Sequence, residues 1–209
     1  MLMHIGENQT LLPILERLVH LPSYHAPSGD QLKYSRFNSQ TTFFDMCQVL
    51  RYIPFCEDFG PMNLACVYRF CKMIESRLAL DADSSIVVVC APDDATMTNT
   101  VFLIGAYMIM MHDSDPTEVV QRFEGLQHRL RTFRDVSPGV QNFHLHLADC
   151  WGGIWRAKQL KWVSFAPNGF ELSDYEHCDS PLNADLHEAV PGKLIAMRGP
   201  QSIADGAMH

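Results

Sequence analysis

Ile86-Val87-Val88-Val89-Cys90 is an unbroken apolar run, mostly β-branched, with turn-forming residues on both sides. A run without polar alternation predicts a strand buried on both faces, and such strands lie in sheets covered by helices. The sequence after it agrees. A polar loop from Ala91 to Met97 leads into Thr98 to Met111, apolar on every side and so predicted to be a helix enclosed by its domain. Upstream, Asp58-Phe59-Gly60-Pro61 predicts a helix start, with Leu64, Val67, Cys71, Ile74 and Leu78 at helical spacing and a turn from Asp81 to Ser85. Helix, buried strand, loop and buried helix make an α/β order.

The flanks are read from the same signals. Leu11 to Leu21 suits a short helix or a strand, with Leu18 to Leu21 as a first strand, and Pro22 to Thr42 reads as loop with an edge strand near Tyr34 to Phe37. Asp115-Pro116-Thr117-Glu118 is a capping arrangement that opens a helix through Val119, Val120 and Phe123. Another helix is predicted from Val140 to Leu160, with Phe143, Leu147, Trp151 and Ile154 on one face and Gly152-Gly153 weakening its middle. Beyond Lys161 the pattern is loop-like until a last strand over Lys193 to Met197.

With 209 residues, 47% hydrophobic and 19% charged, the chain can build a full core, and composition excludes wholesale disorder, collagen and coiled coil. The longest uncharged apolar run, Val101 to Met111, has 11 residues. A membrane span needs roughly 18. No secretory signal opens the sequence, so a soluble protein of the cytoplasm or nucleus, without a membrane partner, is expected. Seven cysteines at irregular spacing argue for reduced thiols rather than a disulfide framework. His146 and Cys150, one helical turn apart, are half of a zinc pattern and are read as ordinary packing.

Charge is polarised along the chain. The net charge is -8, and from Val163 to Gly192 there is no Lys or Arg but six acids: Glu171, Asp174, Glu176, Asp179, Asp185 and Glu188. Nucleic acid is an unsuitable partner for an acidic chain, whereas a local acidic run favours a basic one or serves only as a solvated loop.

A buried strand ending in Cys, a short loop and a helix N-terminus is the arrangement that cysteine-dependent phosphatases use, with loop amides holding the phosphate while a thiolate attacks phosphorus. That chemistry needs HCxxGxxR and then a hydroxyl residue, because Arg clamps the anion and Gly lets the loop curl. Here Val89 stands at the His position, Asp93 at Gly, Thr96 at Arg and Met97 at the hydroxyl, so only Cys90 remains. Asp93 and Asp94 add carboxylates where a dianion would sit. Like charges about 4 Å apart at an effective dielectric of about 20 repel by roughly 4 kcal/mol. The loop is therefore expected to reject phosphate and Cys90 to be an inert buried thiol. Two carboxylates are too few to specify a divalent cation.

Further residues carry a resemblance. Phe55-Cys56-Glu57-Asp58-Phe59-Gly60-Pro61-Met62-Asn63-Leu64-Ala65 with Tyr68-Arg69-Phe70-Cys71-Lys72 resembles the DFGPxNLAxxYRFC segment in the N-terminal domain of the cell-division-cycle-fourteen dual-specificity phosphatases. Phe102 to Tyr107, Phe133-Arg134-Asp135, Asp149-Cys150, Asp174 to His177 and Val190 to Lys193 are similar to that family in the same order. The resemblance implies a dual-specificity or tyrosine-phosphatase-like α/β fold, a central sheet flanked by helices, with a degenerate phosphate loop at Cys90, Asp93, Asp94 and Thr96. Residues 1–42 are expected to form a strand or helix and loop of the same domain as 43–200, and the resemblance implies that 201–209 begin a linker to a catalytic phosphatase domain of the same polypeptide. That partner would hold the working Cys and Arg and need no cofactor or metal.

The family's N-terminal domain forms an acidic groove that selects a basic residue after a phosphoserine-proline or phosphothreonine-proline site. The acids resembling it are Glu176, Asp179 and Asp185, which lie inside the run free of Lys and Arg. Asp179 stands where the family often has Glu, and Cys178 replaces an aromatic residue. The expected partners are thus a catalytic domain and phosphoprotein substrates with basic residues. Two other readings remain open from sequence: a stand-alone pseudophosphatase scaffold, and an active phosphatase working through Cys90.

Overall fold

The computed structural model describes residues 3–5, 9–15, 18–21, 41–46, 51–80, 83, 85–91, 93–183, 185–197 and 199. The chain is a mixed α/β structure whose contacts divide it into two compact units, residues 1–155 and 156–209. In the first, strands β1 (Met3–Ile5), β2 (Gln9–Leu15), β3 (Leu18–Leu21), β4 (Thr41–Asp45) and β5 (Ser85–Val89) form one sheet in the order β1-β2-β3-β5-β4. β5 pairs in parallel with both β3 and β4, with Val87 opposite Val19 and Phe43. Its interior place explains the unbroken apolar run, since Ile86 to Val89 are all buried. Leu11 to Leu15 and Leu18 to Leu21 take the strand alternative, the latter as the third strand in chain order rather than the first. Of the loop predicted from Pro22 to Thr42, the part up to Gln40, with its edge strand near Tyr34 to Phe37, lies outside the described residues, while Thr41 and Thr42 belong to β4.

Helix α1 (Leu64–Leu80) connects β4 to the parallel β5 and buries Ala65, Val67, Phe70, Cys71 and Ile74. It starts later than the sequence predicts. Asp58 does not cap it, because its carboxylate accepts from the Cys56 amide at 2.7 Å and from the Tyr52 hydroxyl. Asn63 does the capping instead, accepting from the Cys66 amide at 3.0 Å.

Helix α2 (Asp94–His112) is buried without interruption from Met97 to Met110. It begins four residues before the predicted Thr98, because Asp93 caps it. Phe70 packs edge-on against both Phe44 and Tyr107, at ring-centroid distances of 6.0 and 6.3 Å, which ties α1 to β4 and α2. On another side of α2, the Trp151 indole donates to the Phe102 carbonyl at 3.1 Å. A Cβ on Gly105 would come within 2.4 Å of that ring, so only glycine allows this approach.

Helix α3 (Pro116–Arg122) opens as predicted, with Asp115 accepting from the Thr117 and Glu118 amides at 2.8 and 3.0 Å. A 3-10 turn follows over Glu124–Arg129. Helix α4 (Leu147–Gln159) starts seven residues after the predicted Val140, because Asp149 reaches back to the His146 amide at 2.8 Å and fixes the start there. Phe143, assigned from sequence to the helix face, is an exposed loop residue.

The second unit contains helix α5 (Leu172–Asp179), absent from the sequence prediction, and the antiparallel pair β6 (His187–Val190) and β7 (Leu194–Ala196). An aromatic chain runs through it. Phe165 meets Phe170 at 5.5 Å, Phe170 meets Tyr175 at 5.4 Å, and Tyr175 lies 6.3 Å from the His187 ring. Among the described residues no helix is long and apolar enough to cross a membrane.

Candidate functional site

Two places carry candidate chemistry, and each begins with how a helix end is satisfied. At the end of β5, Cys90 is fully buried. The following helix is closed by its own acids. Asp93 accepts from the Thr96 amide at 2.8 Å, and its carbonyl accepts from the Met97 amide at 3.0 Å. Asp94 lies in the first turn, with Arg129 Nη2 3.4 Å from its carboxylate. Thr98 donates its hydroxyl to the Asp94 carbonyl at 2.6 Å and accepts from the Arg131 amide at 2.9 Å. Thr96 is half-buried, and its carbonyl accepts from the Thr100 hydroxyl. The Thr96 amide at the start of the helix is thus already bonded to a carboxylate of the chain itself.

Beside the first turns of α2 lies a cavity of about 540 Å³, walled by Tyr52, Asp58, Phe59, Met62, Leu103 and Arg131 among others. Several of its polar groups are engaged with one another. Burial and the Asp58 carboxylate push the Tyr52 hydroxyl up to about 12, while the Cys56 amide and the Tyr52 hydroxyl hold Asp58 below the usual carboxylate range. Asn99 donates to the Gly60 carbonyl at 3.1 Å, and its buried Oδ1 has no partner among the described residues.

The second place is the acidic run. Glu176 and Asp179 lie three residues apart on α5 and so share a face. The chain after α5 folds back on the helix end. The Asp185 amide donates to the Ser180 carbonyl at 3.2 Å, the Leu186 amide to Cys178 at 2.7 Å, and the Asn183 side chain to His177 at 2.8 Å. This return brings Asp185 and Asp179 to one imidazole. His187 Nε2 is 2.8 Å from Asp185 Oδ1 and 3.7 Å from Asp179 Oδ1. The three side chains are 29 to 43% exposed, within reach of a visiting group. Among the described residues they are the one set of three whose metal-ligating atoms fall within 4.8 Å of each other.

The structure therefore unites Asp179 and Asp185, sets Glu176 a turn away on α5, and adds His187, which the sequence reading missed. Its signal was present: a histidine two residues after Asp185 in a stretch without Lys or Arg. Glu188 is engaged elsewhere, accepting from the Gly192 amide at 2.7 Å. In the His146 and Cys150 pair, burial and then Asp149 push the Cys150 thiol up to about 11, which opposes the thiolate that zinc requires.

Residues 16–157 match the family described as dual specificity protein phosphatase, N-terminal half. The chain is 35% identical over 175 residues to dual specificity protein phosphatase CDC14C of Symphalangus syndactylus, covering 82% of this chain and 36% of that protein. It is 34% identical over 164 residues to CDC14A of Homo sapiens, with 77% and 27% covered. To the tyrosine-protein phosphatase cdc-14 of Caenorhabditis elegans it is 28% identical over 201 residues, with 92% and 28% covered. The chain spans 27 to 36% of the length of these relatives. It belongs to the Cdc14 type of dual-specificity protein phosphatase, as that family's N-terminal half.

Proposed function

We propose that this chain is a non-catalytic, specificity-lending domain of a dual-specificity protein phosphatase. A catalytic domain of the same polypeptide supplies the thiolate and the Arg, and the Cys90 loop is a degenerate phosphate loop in a phosphatase-like fold. One observation carries the non-catalytic half of the reading. The Thr96 amide at the start of α2 is already bonded to Asp93, and Asp94 adds a second carboxylate there, itself 3.4 Å from Arg129. The selective half is supported by the convergence of Asp179 and Asp185, with Glu176 on the same helix face as Asp179.

Carboxylates at an accessible surface orient a basic side chain and reject neutral ones more than they add raw affinity. The family resemblance implies a protein substrate with phosphoserine or phosphothreonine before proline, and the three acids would select a basic residue beyond it. Charge reversal at Glu176 and Asp185, in a polypeptide joining this domain to its catalytic half, reduces discrimination between peptides with and without that basic residue. Turnover of a small aryl phosphate stays near its starting value. Unchanged peptide preference would return the acidic run to a solubility role. Aryl phosphate turnover by the isolated chain that vanished in Cys90→Ser would overturn the non-catalytic assignment.

A further inference from the structure

We infer that the cavity beside the first turns of α2 is a binding site for a small uncharged aromatic molecule, which donates one hydrogen bond from an N–H or O–H group to Asn99 Oδ1. Three polar side chains are buried on those turns: Thr98, Asn99 and Thr100. The two threonines are satisfied by their own helix, donating to the Asp94 and Thr96 carbonyls at 2.6 and 2.8 Å. Asn99, only 6% exposed, turns away from the helix, and its Nδ2 donates to the Gly60 carbonyl at 3.1 Å. A carbonyl can only accept, so the amide nitrogen must face Gly60 and the oxygen is the atom left over. Oδ1 is buried and has no partner among the described residues. An unpaired buried acceptor is rare in native proteins and costs stability, so it points to a donor that the chain itself does not supply.

Asn99 lines the cavity of about 540 Å³ together with Ala95, Thr96, Thr100 and Leu103 from the same side of α2. That volume falls within the range usual for small-molecule sites. The other walls are apolar in body. The Tyr52 and Phe59 rings meet edge-on at 5.9 Å, and Met46 and Met62 are side chains of a kind that adapts to the outline of an occupant. Charge favours neither an anion nor a cation, because Arg51 and Arg131 are offset around the cavity by Glu57 and Asp58. The Arg131 guanidinium lies over the Phe59 ring at 5.6 Å, and Asp58 already accepts from Tyr52 and Cys56. A flat apolar body with one donor matches the walls and the orphan oxygen together.

The test titrates the 209-residue chain with indole and with indene, a near-isostere that has CH2 in place of the N–H, and follows the backbone amides of Gly60 and Asn99 by NMR. Indole should shift these signals saturably and bind about fivefold or more tighter than indene. In Asn99→Ala that preference should disappear. Ala95→Phe, which sets a ring in the cavity from a half-buried position, should abolish the binding of both probes.

Asn99 also ties α2 to Gly60, so the natural chain's preference and Ala95→Phe decide the matter should the Asn99→Ala chain fail to fold. Equal affinities for indole and indene in the natural chain, or no saturable shift with either, overturn the inference. So does a preference that persists in Asn99→Ala, or indole binding that persists in Ala95→Phe. A solvent molecule as the lasting partner of Oδ1 would give the first of these results.

Discussion

Asp93 and Asp179 stand at opposite ends of their helices, and the difference separates the two regions of the molecule. Asp93 precedes α2, where its carboxylate takes up a free amide and faces the positive end of the dipole. Asp179 closes α5, where the dipole disfavours an acid by about 0.3 to 1 kcal/mol. Stability accounts for the first placement and opposes the second. On the proposed function, an acid held against the local field is there for a substrate's cation; within the chain its carboxylate lies 3.7 Å from the His187 ring.

The region around α2 is built for packing, so the largest effect belongs there. Gly105→Ala should cost about 3 kcal/mol, read as a fall in the urea midpoint, because its methyl group would enter the Trp151 indole. No loss of stability would mean that the indole does not rest on α2. A smaller effect tests the helix ends themselves. Asp93→Ala should destabilise by about 1 kcal/mol through loss of the cap. Asp179→Asn should change stability by less than about 0.5 kcal/mol in either direction, removing an acid from a disfavoured place. Equal losses at the two positions would erase the contrast.

The packed region was the more legible in sequence, for a physical reason. β5 and α2 are enclosed on all sides, and enclosure leaves unbroken apolar runs that need no knowledge of neighbours. Helix starts were read less well because capping is a contest among nearby acids and amides. The Asp58 carboxylate went to the Cys56 amide and the Tyr52 hydroxyl, leaving Asn63 to open α1. α5 escaped notice because it has no buried residue and therefore no apolar stripe. The acidic run was visible by counting, but the meeting of Asp179, Asp185 and His187 depends on the backbone hydrogen bonds of the return loop, which charge counting does not contain.

The subtlest effect concerns pH in the first region. The folded-state pKa of Tyr52 lies at about 12, above its ordinary value of about 10, so its stabilising contribution is full below the lower value and is lost as pH rises through the upper one. Asp58 has the opposite sign. Its depressed pKa stabilises the fold above the ordinary carboxylate range, and that contribution is lost as pH falls through the folded value. Following the phenolate absorbance of the natural chain against Tyr52→Phe should reveal one tyrosine that ionises late. Asp58→Asn should bring that step to lower pH, and an unmoved step would contradict the pairing.

On the proposed function, the N-terminus of α2 is closed to oxyanions by the chain's own carboxylates. Titration of the isolated chain with tungstate, followed through the backbone amide signals of Asp94 to Met97, tests it most directly. Amide positions that do not move up to millimolar tungstate are the predicted result. A saturable shift of those amides, reproduced by inorganic phosphate, would contradict it.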